Sequence, residues 1–270
     1  MLTDTELEAI RRKLSARTGI DLSSYKSNFL QRKIAGRMFE NHTDTFEEYF
    51  SLLDDSLEQQ KLFMSLSINV TEFFRDPSLF EELQKNTFPA LLSFKKQNSS
   101  RIIRIWSAGC ASGEEPYSLA IILSEILKNN PEKFLLSITA SDIDEKALQK
   151  AKQGLFPIYR TKNIKPEHLQ KHFTKTNEKE YLINPELREN IRFLKHDLSH
   201  PIFPSSFDLI FCRNVPIYFS KEMQEVLFTK FYHALNRGGM LILGKSEALM
   251  TSIKDQFLMH NLSERIYRKI

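Results

Sequence analysis

The chain has 270 residues, 41% of them hydrophobic, which suits one large domain or two small ones with packed cores and excludes a disordered or fibrous protein. Lysine and arginine number 38 against 34 aspartates and glutamates, and the net +4 falls short of the basic excess of a non-specific nucleic-acid binder, so no nucleic-acid partner is expected. Two cysteines with no C-x-x-C pair argue against a disulfide framework or a structural zinc, and no apolar run reaches the roughly 18 residues that span a bilayer, so a cytoplasmic protein without membrane insertion is expected.

The first 80 or so residues read as helices. Leu7, Ile10 and Leu14 give an amphipathic helix ending at Gly19, and a second helix starts near Ser23 or Ser24 with Phe29, Leu30, Ile34 and Met38 on one face. Lys26, Lys33 and Arg37 recur on its other side with Arg32 nearby, in a stretch from Arg11 to Arg37 that holds eight basic residues and one acid. By itself such a stripe reads as a solvated helix face. A third helix begins at Thr45 and a fourth covers Leu57 to Leu66. Ser67 to Pro77 is dense in ligand-facing side chain types, Pro77 starts another helix, and Lys95 to Ser100 is polar and loop-like.

From Arg101 the pattern alternates strand and helix: strands at 102–106, 135–140, 207–212 and 239–243, and helices at 116–127, 145–152 and 221–235. This is the signature of β-α-β units around a parallel sheet. The stretch between Gly154 and Lys195 interrupts it with two possible strands, 181–183 and 191–194, and the tail from Ser263 to Ile270 alternates as an edge strand does.

The first strand runs into Ser107-Ala108-Gly109-Cys110-Ala111-Ser112-Gly113-Glu114-Glu115-Pro116-Tyr117-Ser118, whose two glycines admit a ligand close to the backbone. The spacing is not that of a dinucleotide fold, and two acids at the helix start repel a pyrophosphate. They attract a cofactor with a cationic amino group and a sulfonium, S-adenosylmethionine. Asp142, at the end of the second strand, suits ribose hydroxyls, while Asp144 reads as a helix cap. Cys212-Arg213-Asn214-Val215-Pro216-Ile217-Tyr218-Phe219 brings polar groups to the same sheet edge.

These segments, together with Asn69-x-Thr71-x-x-x-Arg75, resemble the chemotaxis receptor methyltransferases of the CheR family nearly end to end. The resemblance implies S-adenosylmethionine-dependent methylation of glutamate side chains on the cytoplasmic helices of chemotaxis receptors, giving glutamate methyl esters and S-adenosylhomocysteine, in sensory adaptation. It also implies an α/β fold, a class I Rossmann-like methyltransferase domain (101–270) with a small inserted β-subdomain (about 155–195). An all-α N-terminal domain (1–76) precedes it, joined by a linker helix and loop (77–100). Carried over by motif, Asn69, Thr71 and Arg75 contact the cofactor, and Glu115 meets its amino group, with Glu114 the competitor. Asp142 binds the ribose, Asp197 and Leu198 lie near the adenine, Arg213 and Asn214 contact the cofactor from the fourth strand, and Tyr218 faces the transferred methyl. Catalytic roles fall to Arg75 and Tyr218, and no metal is expected. His196 and His200 flank Asp197, but their spacing of four in a loop ending at Pro201 is weak metal-site evidence.

The blander readings are an ion pair of Arg75 with Asp76 or Glu72 and a core position for Tyr218 beside Phe219. Beside the implied substrate, the stripe of Lys26, Arg32, Lys33 and Arg37 becomes a docking surface for an acidic receptor helix. Thr174 to Glu180 lacks the glycine of the turn through which some family members hold a receptor's C-terminal pentapeptide, so no such tether is expected. The alternatives are a catalytically silent cofactor-binding module and a methyltransferase of the same fold with another substrate. The Asn-Pro-Pro-Tyr motif of amide N-methyltransferases is not matched, because Tyr218 stands one residue too far from Asn214 and the first proline is absent.

Overall fold

In the computed structural model, which describes residues 2–18, 22–128, 130–200, 202–249 and 251–270, the N-terminal quarter is helical. Its helices are α1 (Asp4–Thr18), α2 (Ser27–Glu40), α3 (Phe46–Leu52) and α4 (Ser56–Leu66). The helix end expected at Gly19 lies outside the described residues. α2 starts later than its serines suggested, because Leu22–Ser24 forms a 3-10 turn with Leu22 and Ser24 buried. Thr45 caps α3 through a reciprocal box with Glu48. Leu7, Ile10, Leu14, Phe29, Leu30, Ile34, Tyr49 and Leu62 are buried, as helical spacing requires.

Chain contacts divide the molecule into Met1–Ile68 with Val215–Leu227, and Asn69–Asn214 with Phe228–Ile270. The segment from Val215 therefore groups with the helices. Lys26 N–H donates to the Tyr218 carbonyl at 3.0 Å, Ser220 N–H donates to Ser24 O at 2.8 Å, and the Tyr25 ring meets Phe219 at 5.2 Å. No sequence periodicity signals this pairing, since its partners are almost two hundred residues apart.

The second unit opens with α5 (Pro77–Glu82) and α6 (Phe88–Gln97), joined by a π-helical turn at Leu83–Thr87. Pro89 cannot donate to the carbonyl four residues back, and the widened turn lets Phe88 N–H bond Leu83 O instead. The stretch expected as a linker is core: Leu79, Phe80, Leu83, Phe88, Leu91 and Leu92 are buried in this unit. Lys95, expected in a loop, is 6% exposed with its ammonium 3.0 Å from both Asp208 oxygens.

The alternation continues as β1 (Ile102–Ala108), α7 (Glu114–Lys128), β2 (Leu135–Asp142), α8 (Glu145–Gln153), β3 (Leu155–Pro157), α9 (Pro166–His172), β4 (Phe173–Lys175), β5 (Glu180–Ile183), α10 (Pro185–Arg188), β6 (Ile191–Lys195), β7 (Phe207–Cys212), α11 (Lys221–Ala234), β8 (Leu235–Leu243), α12 (Thr251–Lys254), β9 (Phe257–Asn261) and β10 (Ile266–Lys269). The described strands form a seven-stranded sheet in the order β6-β2-β1-β7-β8-β10-β9 and a three-stranded sheet β3-β5-β4. β6, β2, β1, β7 and β8 pair in parallel, and β10 is antiparallel to both its neighbours.

Three expectations change here. β6 joins the main sheet against β2, so the inserted sheet ends before Ile191. The tail strand β10 is interior, with Ile266 and Tyr267 buried, and β9 takes the edge. Asn236 to Gly239 is a bulge inside β8 and not a turn before it, for the register against β7 jumps from Phe207–Leu235 to Leu209–Met240. Because β1 lies between β2 and β7, the chain winds outward in both directions from it. The crevice at the carboxyl ends of β1, β2 and β7 is then the place for a ligand.

Candidate active site

The loop after β1 turns through Gly109 (φ +82) and Gly113 (φ +97), with Ala111 also left-handed at φ +46. A Cβ on Gly113 would come within 2.9 Å of Ala151 Cβ, so only glycine lets α7 start this close to α8. Gly109 and Cys110 donate their N–H groups to Ser141 O at 2.8 and 2.9 Å, which ties the loop to the end of β2.

Asp142 holds this junction. Its two oxygens accept from Ala111 N–H at 2.8 Å and Asp144 N–H at 2.9 Å, and its side chain is largely buried. Burial pushes its carboxyl above the ordinary aspartate range, against the two backbone donors. Asp144 caps α8 by accepting from Lys146 and Ala147 N–H, as its position suggested, and also receives Asn69 Nδ2 at 2.6 Å. Asn69 thereby pins the start of the 69–76 segment to the end of β2.

That segment is strained as well as tethered. Phe74 (φ +52) and Asp76 (φ +62) flank Arg75 in left-handed conformations that side chains with a Cβ rarely adopt. The Arg75 guanidinium donates to Val70 O at 3.0 Å, while the two acids that offered it an ion pair are engaged elsewhere. Asp76 pairs with Arg213, and Glu72 accepts from Asn163 at 2.9 Å. Thr71 takes part through its carbonyl, which receives Arg160 Nη1 at 2.8 Å.

The two acids opening α7 differ in environment. Glu114 is 1% exposed and accepts from Ser112 Oγ at 2.7 Å and Arg160 Nη1 at 3.2 Å. Burial nevertheless pushes its carboxyl upward. Glu115 accepts from Ser107 Oγ at 2.8 Å and lies 3.4 Å from Arg213 Nη1. Arg213 also donates to Arg75 O at 3.4 Å, so one buried guanidinium joins the end of β7, the start of α7 and the strained segment. Asn214 follows at φ +60. Asp197 and Leu198 stand just beyond β6, where His196 N–H bonds Asp142 O at 2.9 Å, and Asp197 accepts from Ser199 N–H while Leu198 is buried.

Sequence reasoning missed Arg160, a residue of the insert that reaches both Thr71 and Glu114. A lone arginine in a polar stretch gives no signal, because its role comes from the fold. The described structure thus gathers Asn69, Thr71, Arg75, Glu115, Asp142, Asp197, Leu198, Arg213 and Asn214 around the carboxyl edge of one sheet. Tyr218 belongs to the helical unit, where its partly exposed ring meets Phe29 at 4.9 Å, and Phe219 is the core aromatic instead. Cys110 and Cys212 are buried free thiols, and burial first, then neighbouring carboxylates, push both well above the ordinary thiol range. His196 packs on Trp106 at 5.8 Å, and its ring lies 6.4 Å from His200; Pro201 lies outside the described residues.

Whether these residues fit S-adenosylmethionine is a question of charge and room. The glycine turn, the acidic start of α7 and a buried carboxylate at the end of β2 suit a cationic nucleoside and repel a pyrophosphate. The fold and this site define a class I S-adenosylmethionine-dependent methyltransferase. Comparison with known proteins identifies which kind. Residues 69–266 match the model of the CheR methyltransferase S-adenosylmethionine-binding domain, and residues 5–67 match the CheR all-α domain. A chemotaxis protein methyltransferase of Borreliella burgdorferi is 32% identical over 96% of this chain and 93% of its own. Those of Listeria innocua (35% identical, 86% of each chain) and Escherichia coli (32%, 91% of this chain and 85% of its own) are similarly related. The chain belongs to the CheR family of chemotaxis methyltransferases, enzymes of the protein-glutamate O-methyltransferase type. No helix among the described residues is long and apolar enough to cross a membrane.

Proposed function

We propose that this enzyme esterifies glutamate side chains on the cytoplasmic helices of chemotaxis receptors, using Arg75 and Tyr218 as its catalytic residues. The observation that carries the reading is the acidic, glycine-turned junction at the ends of β1 and β2, held shut by Asp142 and faced by the strained Arg75 segment. S-adenosylmethionine, when bound, supplies an electrophilic methyl group on a sulfonium. A glutamate carboxylate is ionised at neutral pH and needs no general base, so the protein's task is alignment. Arg75, free of the neighbouring acids, holds the incoming carboxylate, and Tyr218 orients the reactants. Asp142 takes the ribose hydroxyls, and Asp197 and Leu198 border the adenine. Glu115 receives the amino group in preference to Glu114, because its side chain is 15% exposed where that of Glu114 is 1% exposed. Arg213 works from behind the site by positioning Glu115 and the Arg75 backbone. The test is transfer of labelled methyl to a purified receptor cytoplasmic fragment, with lability in mild base separating esters from amides and amines.

Receptor docking falls to Lys26, Arg32 and Lys33. Lys33 Nζ stands 5.6 Å over the Phe29 ring, which also meets the Tyr218 ring at 4.9 Å, so the basic stripe runs up to the proposed catalytic tyrosine within the helical unit. Arg37 leaves the stripe, because it is 8% exposed and paired with Glu58. Reversing Arg32 and Lys33 to glutamate should raise the KM for receptor by about tenfold at low salt, less at high salt, and leave cofactor affinity unchanged. Steady-state kinetics and a cofactor titration on the same variant check this.

The β4–β5 hairpin closes without glycine, through Thr176 N–H to Glu180 O at 3.0 Å and Lys179 N–H to the Asn177 side chain at 2.7 Å. We accordingly propose that it holds no receptor pentapeptide. Calorimetric titration with such a peptide should give no heat of binding, and micromolar binding contradicts the proposal.

A further inference from the structure

Away from this site, α7 and α9 bring together side chains that methyl transfer does not use. Glu125, His168 and His172 each offer one ligand atom, all within 4.8 Å of one another. His168 and His172 are four apart on α9 and so share a face. His168 Nδ1 lies 3.3 Å and His172 Nε2 3.2 Å from the same oxygen, Glu125 Oε1. Bonds of about 2.0–2.1 Å in a tetrahedral zinc site put ligand atoms about 3.3 Å apart, so these contacts already have the edge length of such a site. Both imidazoles are buried, at 8% and 7% exposure.

We propose that Glu125, His168 and His172 bind one zinc-class transition metal ion, with a fourth position left to water. The histidines and the mixed N/O donor set select such an ion over calcium or magnesium, which take oxygen ligands. Lys171 is the built-in competitor: its ammonium lies 2.9 Å from the same Glu125 oxygen, on a side chain that is 44% exposed and able to swing into solvent. The ion would clamp the insert to α7. It would also fix the wall behind the catalytic segment, since the His168 ring stacks on Phe74 (5.8 Å, 16°), the residue before Arg75, and Phe74 N–H bonds Ser118 Oγ on α7 at 3.0 Å.

The experiment is zinc titration of the untagged full-length protein by calorimetry, with cobalt absorption reporting tetrahedral coordination. One equivalent is expected, with a rise in Tm, and His172→Gln and Glu125→Gln should lose it while His196→Gln, outside the cluster, keeps it. Lys171→Gln should bind zinc about tenfold more tightly, because a cation is removed from the ligand oxygen. This result does not depend on the ligand variants folding. Absence of zinc binding by the wild type, retention in His172→Gln, or unchanged or weaker binding in Lys171→Gln overturns the proposal.

Discussion

Asp142→Asn should weaken S-adenosylmethionine binding by about a hundredfold or more, the size expected when charge-assisted hydrogen bonds of roughly 1.5–3 kcal/mol each are lost to the two ribose hydroxyls that Asp142 is proposed to hold. The substitution keeps the shape of the side chain but gives it one acceptor oxygen where the fold uses two, for Ala111 and Asp144 N–H. Equilibrium dialysis measures the loss, and circular dichroism confirms that the sheet survives. The pH dependence has a definite sign. Burial raises the carboxyl of Asp142, so its charged form is disfavoured in the fold and it takes up a proton at a higher pH than an exposed aspartate. Wild-type affinity should therefore fall as the solution is acidified from neutrality, before ordinary carboxylates titrate, and Asp142→Asn should flatten that dependence.

Arg37→Ala should destabilise the protein by about 3–5 kcal/mol, because it leaves a charge buried without its partner. Glu58 is 3% exposed, accepts from Arg37 Nε at 2.9 Å and from Tyr49 Oη at 3.0 Å, and has nowhere to turn for water. Burial alone would raise the Glu58 carboxyl, but the hydrogen bonds from Arg37, Tyr49 and Asn41 outweigh it and hold it below the ordinary range. With a depressed value in the fold, this carboxylate contributes stability above its unfolded value and loses it as pH falls through the folded one. Urea denaturation should show the lost stability, and conversion of both partners to a packed apolar pair should restore much of it. A surface docking role would instead leave stability unchanged and raise KM.

Arg37 also shows where a sequence pattern stops informing. Its spacing from Lys26 and Lys33 fits one helix side, yet Glu58 on another helix turns it inward, and no periodicity encodes that partner. β7 was legible because a central strand is mostly apolar, here all but Asp208, and every residue from Phe207 to Cys212 is buried. β9 was not, since Leu258 and Met259 of an edge strand are exposed and its alternation is broken. The Asp144 cap could be read because caps are local. Arg160, the packing of Val215–Leu227 with the helices, and the meeting of Glu125 with His168 and His172 all join residues distant in sequence. Only the fold brings these together.

The chemistry itself is best tested by mapping the methyl groups. A receptor cytoplasmic fragment, incubated with this enzyme and labelled S-adenosylmethionine and then digested and sequenced by mass spectrometry, should carry methyl esters on glutamate side chains of its helices. They should be lost in mild base and much reduced, at limiting cofactor, when Asp142→Asn replaces the wild type. Methyl groups on nitrogen, or no incorporation by the wild-type enzyme, would contradict the account.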